Sequence, residues 1–244
     1  MKKVYLLALL LQLKLAAAAQ FNDSLHHYLN INLAGTLNNA SGDRNYLLNN
    51  FIKYKYYKRK SELNFNSGWI YGKNKDGLTN NDFSTSVDFN IYRDTAARIN
   101  YWGLAGYTSS YSLKINNQFQ AGLGVAYKLV DTKHMYLRVS DGILFEHSNL
   151  LINDSIPDIY TTFRNSLRLQ LRLFPVQRVS FDGTAFWQPS VKNIGDYIIT
   201  TQMGLSIKLM KWLSLSTRLN YNRISRTDKE NLLLTYGILI EQYF

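Results

Sequence analysis

The chain has 244 residues, 46% of them hydrophobic, with no cysteine and 28 Lys plus Arg against 17 Asp plus Glu. Without cysteine it is neither a disulfide scaffold nor a lipoprotein anchored through an N-terminal Cys. The formal charge of +11 raises nucleic acid as a partner, but no nucleic-acid module is present and the cations are scattered along alternating runs, which favours anionic headgroups or small anionic solutes instead.

In chain order, Lys2 and Lys3 precede an apolar stretch over residues 4–15 that runs into Ala16, Ala17, Ala18 and Ala19. A positive start, an apolar middle and a small-residue site predict a signal peptide over residues 1–19, cleaved at or near Ala19, and one domain over residues 20–244. A transmembrane helix fits poorly, because Gln12 and Lys14 interrupt a stretch shorter than the roughly 20 residues a span needs. Loss of residues 1–20 removes three lysines and no acid, leaving a formal +8.

Beyond the leader the dominant signal is a period of two, which places alternate side chains on opposite faces of a strand. From 197 to 209 the odd positions are Tyr197, Ile199, Thr201, Met203, Leu205, Ile207 and Leu209, and the even ones Ile198, Thr200, Gln202, Gly204, Ser206 and Lys208. The pattern recurs in Phe163, Leu167, Leu169, Leu171 and Leu173 against Arg164, Ser166, Arg168, Gln170 and Arg172, and again around Phe119 to Leu129. One row suits lipid and the other water. Strands are predicted near 27–37, 46–57, 61–72, 82–93, 97–107, 117–130, 135–147, 159–173, 178–189, 196–209, 213–225 and 231–244, an all-β, antiparallel transmembrane β-barrel of about 12 strands. With the N-terminus in the periplasm, the connectors then alternate between long outer loops (38–45, 73–81, 108–116, 148–158, 190–195, 226–230) and short inner turns (58–60, 94–96, 131–134, 174–177, 210–212), as in outer-membrane barrels. Tyr56, Tyr57, Trp102, Tyr107, Trp187, Trp212, Tyr243 and Phe244 fall near strand ends, where amphipathic rings suit the headgroup zone. Phe244 closes a run of Leu232, Leu234, Tyr236, Ile238 and Ile240, the pattern of a terminal strand whose last aromatic serves as the insertion signal for the barrel-assembly machinery in outer-membrane lipid.

The stretch from Gly122 to Thr132, with Gly124, Tyr127 and Asp131, followed by Leu137, Gly142, Phe145 and Glu146, resembles the central hairpin of the salt-induced outer-membrane protein family (YdiY-like), a domain of unknown function. The likeness is specific over residues 117–147 and follows layout alone elsewhere; Asp141 stands where a small residue is expected. Membership implies an outer-membrane β-barrel and carries with it no reaction, cofactor or ligand.

By parity Arg164, Arg168 and Arg172 form an inward ladder, with Lys128, Lys208 and Arg218 inward on other strands and Asp182 diagonally within reach of Arg168 and Arg172. Two readings of these lumen-lining residues compete. Arg168, Arg172, Asp182 and Glu146 form a satisfied polar plug, or the arginines line a narrow water-filled path biased toward anions. The alternative from another class is an outer-membrane lipid-modifying hydrolase built on His147, Ser148 and Asn149. Neighbouring residues of a strand point to opposite faces, so His147 and Ser148 do not form a catalytic pair without a bulge. No enzyme activity, metal site or cofactor is expected. A soluble periplasmic barrel is disfavoured by the apolar outward rows.

Overall fold

Period-two patterning dictates strands, and strands that present an apolar row to lipid must pair every backbone group with a neighbour, because hydrocarbon offers no water to an unpaired amide. The computed structural model describes residues 26–40, 43–94, 97–152 and 156–244; the expected signal peptide lies outside them. Among the described residues the chain forms thirteen strand segments, β1 (His27–Ala40), β2 (Asp43–Lys58), β3 (Ser61–Asn74), β4 (Gly77–Tyr92), β5 (Ile99–Ser110), β6 (Ile115–Asp131), β7 (Met135–Ile152), β8 (Ile156–Asn165), β9 (Leu167–Val176), β10 (Val179–Pro189), β11 (Tyr197–Lys208), β12 (Leu213–Ile224) and β13 (Lys229–Tyr243). β8 and β9 are two halves of one crossing. They pair in unbroken register with the distal and proximal parts of β7 and are separated only by Ser166, whose N–H still donates to the Gly142 carbonyl at 2.8 Å. The result is a closed, antiparallel, 12-stranded barrel, as the alternation predicts.

Closure occurs where β1 meets β13, from Tyr28 opposite Tyr243 to Gly35 opposite Tyr236. Phe244 extends this seam: the His27 N–H donates to its carbonyl (2.9 Å), its own N–H donates to the His27 carbonyl (3.1 Å), and its ring stacks on the His27 imidazole at 5.4 Å. The barrel end holding the start of β1 and the finish of β13 is termed proximal, and the opposite end distal.

The outward rows are apolar. Leu123 is 72% exposed, Ile143 57% and Leu232 64%, an outer surface made for lipid. The inward rows are polar, with Asn32, Asn64, Asn90, Asn100, Glu146, Ser148, Arg164 and Thr235 all buried. Asp141 lies on the outward row of β7, so Arg138, Ser140, Gly142, Leu144 and Glu146 face the lumen.

The connector pattern departs from expectation. The predicted long outer loops are largely strand: Asn38 and Asn39 pair with Asn45 and Arg44, and β7 runs on to Ile152. At the distal end the strands run on, so Asn38, Asn39 and Asn45 lie in the ladder, while Asn74, Lys75 and Gly77 at φ 126 still form a turn. The aromatic reading also needs correction. Trp102 is buried inside the barrel and Tyr243 stands beside Tyr28 on the lumenal row. Tyr56 and Tyr57, being neighbours in a strand, take opposite faces.

Gly237 shows how tightly the seam is closed. It lies opposite Ala34, and a Cβ there meets the Leu33 carbonyl oxygen and Ala34 Cα, whereas a Cβ on Gly183 meets nothing nearer than 3.8 Å. Gly237→Val is therefore expected to abolish most of the heat-modifiable folded species on refolding, and Gly183→Val to leave it intact, as read by shifted migration in unheated gels.

Candidate functional site

Two charged regions share the lumen and differ in how their charges are satisfied. At the distal end, β7 and β8 bring Glu146 and Arg164 together, both fully buried at 0% exposure. Arg164 Nε donates to Glu146 Oε2 at 2.8 Å and its Nη2 to Asp196 Oδ1 at 2.8 Å, with further bonds to the Gln188 and Asp196 carbonyls. Glu146 also accepts from Gln120 Nε2 and from the Tyr160 hydroxyl, each at 2.6 Å. Asp196 passes the network outward to Arg226, which also binds Asp158 at 2.6 Å and lies 3.9 Å over the Tyr160 ring.

An apolar layer seals the same end. The turn between β5 and β6 bends inward with Lys114 at φ 59, and Leu113 packs with Ile115, Leu150, Ile198 and Ile224. Asp82 holds this turn by accepting from Ser110 Oγ (2.7 Å), Ser112 Oγ (2.8 Å) and the Ser112 N–H (3.0 Å). From the opposite wall Thr227 donates to the Leu113 carbonyl and Asn231 to Ser112 Oγ. The distal mouth is thus spanned by two hairpin turns tied to each other.

The proximal half is different. Lys53, Arg138, Arg168, Arg172 and Arg218 line it, and among the described residues none has a carboxylate within ion-pair distance. Arg138 Nη2 donates to Asn90 Oδ1 at 2.7 Å while its buried Nε has no partner. Arg168 Nε donates to Ser140 Oγ at 2.9 Å. Arg218 Nε donates to Asn32 Oδ1 at 2.9 Å and its guanidinium lies over Phe51 at 5.3 Å. Lys53 and Arg172 repel each other across the lumen, and Arg168 and Arg138 do so as diagonal neighbours on the paired strands β7 and β9. Asp88 faces Lys53 and Arg168, yet its oxygens accept from Asn64 (2.9 Å), Asn66 (3.3 Å) and Asn90 (3.3 Å). Acceptors that are already solvated by amides leave the cations a net positive field in a low-dielectric enclosure.

The glycine motif builds a support for this field. Gly124 and Gly142 lie opposite each other on β6 and β7, and a Cβ on either would come within 2.6 or 2.5 Å of the Trp102 ring. Their bare backbone lets the indole lie against the wall, with Nε1 donating to the Val125 carbonyl. Arg168 then rests over Trp102 at 5.4 Å and over Phe186 at 5.6 Å, a geometry that holds a cation in place without neutralising it. Gly122 gives the same clearance against Leu144.

The expected residues therefore divide. Arg164 and Glu146 belong to the distal network, and Arg168, Arg172 and Arg218 to the proximal one. Asp182 sits directly opposite Arg172 and not diagonal to it; Arg168 faces Phe186, and Asp182 pairs with neither arginine. Lys128 binds Asp131 at the proximal rim (3.0 Å), beside Arg138, and Lys208 lies near that rim opposite Ser214. Tyr127 points outward. His147 faces out and bonds Thr161 (3.0 Å) while Ser148 is buried inside, so the two stand on opposite sides of the wall. Lys53, Arg138, Asp158, Asp196 and Arg226 were not singled out by sequence. Parity marks Lys53 and Arg138 as inward once the facing of β2 and β7 is known, whereas Asp196 and Arg226 sit in connectors where parity says nothing.

Residues 31–236 match the model of the family described as "Protein of unknown function, DUF481". The chain belongs to this family. No curated protein matches it by sequence. Its fold is similar to that of the NanC porin (TM-score 0.55, 8% identity, 88% of this chain and 99% of the other). It is also similar to the COG4313 outer membrane channel from Pseudomonas putida F1 (TM-score 0.50, 10% identity, 93% and 97%). A third likeness is to the translocator domain of the autotransporter NalP from Neisseria meningitidis (TM-score 0.50, 10% identity, 98% and 93%). The family expectation and the barrel fold are both upheld, and the structural neighbours are outer-membrane proteins of barrel fold.

The distal ion pair yields a stability test. Glu146 takes two of the hydrogen bonds of Arg164; breaking such a buried pair from one side costs about 3–5 kcal/mol, while replacing both by apolar residues of similar volume is near neutral. Glu146→Leu is expected to destabilise the barrel by about that amount in urea unfolding followed by tryptophan fluorescence. Adding Arg164→Met should restore much of the loss.

Proposed function

We propose that the protein is an exported outer-membrane channel of narrow bore for small anionic solutes, with its proximal end in the periplasm. The observation that carries this reading is the set of five proximal lumen cations without carboxylate partners, set against the fully paired Arg164 and Arg226 at the distal end. A structural plug needs its charges neutralised; a cationic lining left to solvent and amides attracts anions and rejects cations. A barrel of twelve crossings lies below the roughly 16 to 18 strands of open porins, so side chains from facing walls reach far into the lumen. The distal layer of Leu113, Thr227 and Arg226 then acts as the resistance that limits conduction. In the same reading Phe244 is the terminal aromatic taken up by the barrel-assembly machinery.

Refolded protein in a planar bilayer under a KCl gradient is expected to give small discrete openings with a reversal potential of anionic sign. Arg168→Ser plus Arg172→Ser should bring that potential close to zero. Arg226→Ala, by releasing Asp158 and Asp196 from the distal latch, should raise unit conductance at least twofold. Folded barrel that stays silent with Arg226→Ala present would sink the channel reading.

A further inference from the structure

The outward row of β7 reads Leu137, Val139, Asp141, Ile143 and Phe145, so a carboxyl stands in the middle of the band that meets hydrocarbon. Its surroundings are apolar. Val125 lies opposite it on β6, and Leu123, the most exposed of the neighbours at 72%, lies opposite Ile143. On the other side Asn165 occupies an equally anomalous place, between Phe163 and Leu167 on the outward row of β8 and β9. The two find each other: Asn165 Nδ2 donates to Asp141 Oδ1 at 2.9 Å. That bond uses one oxygen and one N–H. Asp141 Oδ2 and the second N–H of Asn165 have no partner among the described residues, and at this depth lipid has neither water nor headgroups to supply one.

We propose that this face is the contact between two copies of the chain, related by a two-fold axis along the membrane normal. Such an axis keeps every residue at its own depth, so Asn165 of each copy meets Asp141 of the other. The patch carries a spare donor on Asn165 and a spare acceptor on each of the two residues, which makes it self-complementary, the requirement of an isologous interface. Leu123, Ile143 and Phe163 exchange lipid for protein with little gain, since lipid tails are as apolar as they are; the polar pair supplies the specificity. The four groups thereby form a closed ring of hydrogen bonds shielded from hydrocarbon. This inference is independent of whether the lumen conducts.

The chain has no cysteine, so single-cysteine variants report without background. Ile143→Cys beside the patch is expected to give a species of twice the monomer mass when isolated outer membranes are treated with a short bismaleimide. Leu215→Cys, outward on β12 and four crossings away from β7, should give none. Adding Asp141→Leu to Ile143→Cys should cut the cross-linked fraction at least tenfold while heat-modifiable folding is retained, and Asp141→Asn, which keeps the hydrogen-bonding shape, should preserve it. A monomeric Ile143→Cys protein, a cross-linked product of some other mass, or an Asp141→Leu variant that folds and cross-links undiminished would each overturn the proposal.

Discussion

Everything in this molecule depends on the hydrogen bonds that join its first strand to its last. In hydrocarbon an open sheet edge has no solvent to satisfy it, so a chain of alternating strands becomes a membrane structure only when the seam between β1 and β13 is complete. That seam is narrow and has little tolerance. Gly237 is pressed against Ala34 and the Leu33 carbonyl, and the ladder is carried to its limit by the reciprocal bonds of His27 and Phe244. Once the cylinder closes at one register, each residue's face is decided. The same constraint that hides backbone from lipid thereby sorts Leu and Phe outward and gathers Asn, Ser and the charged side chains within.

Inside, the lumen is built in two styles. Distally, Arg164 is enclosed by Glu146, Asp196 and two carbonyls, an arrangement that is costly to disturb and sets the hairpin turns rigidly. Proximally, Arg138, Arg168 and Arg218 are held by neutral groups: Ser140, Asn90, Asn32 and the faces of Trp102, Phe186 and Phe51. Neutral hydrogen bonds and ring faces fix position but leave the charge expressed. The difference between the two halves is one of neutralisation and not of residue type.

Parity along the strands makes much of this legible in the sequence. Leu167 to Leu173 against Arg168 and Arg172 fixed both faces of one wall, and the crossing count and fold class followed. Where the signal lapsed, a physical reason is evident. Asn38 and Asn45 read as a loop because their stretch is polar on both rows and carries no alternation, although the two pair in the ladder. Trp102 read as a headgroup anchor because an aromatic near a strand end carries the same one-dimensional mark whichever way it points. Asp196 and Arg226 were invisible because connectors have no period, and their roles arise only when distant hairpins fold over a common mouth. Asp182 lies opposite Arg172 and not diagonal to it, and the bulge between Val179 and Phe181 that shifts this register leaves no mark in the sequence.

The niche formed by Gly124 and Gly142 has a bearing on how such a protein can drift in sequence. Because the indole of Trp102 lies in the space that two missing Cβ atoms leave, and Arg168 lies on the indole, the placement of a charge in the lumen is set by backbone atoms of the wall. A change at either glycine moves the cation without altering the charge count. The placement of lumenal charge in this fold is therefore heritable through residues that no tally of charged side chains records, and two relatives with identical arginines need not share a lumenal field.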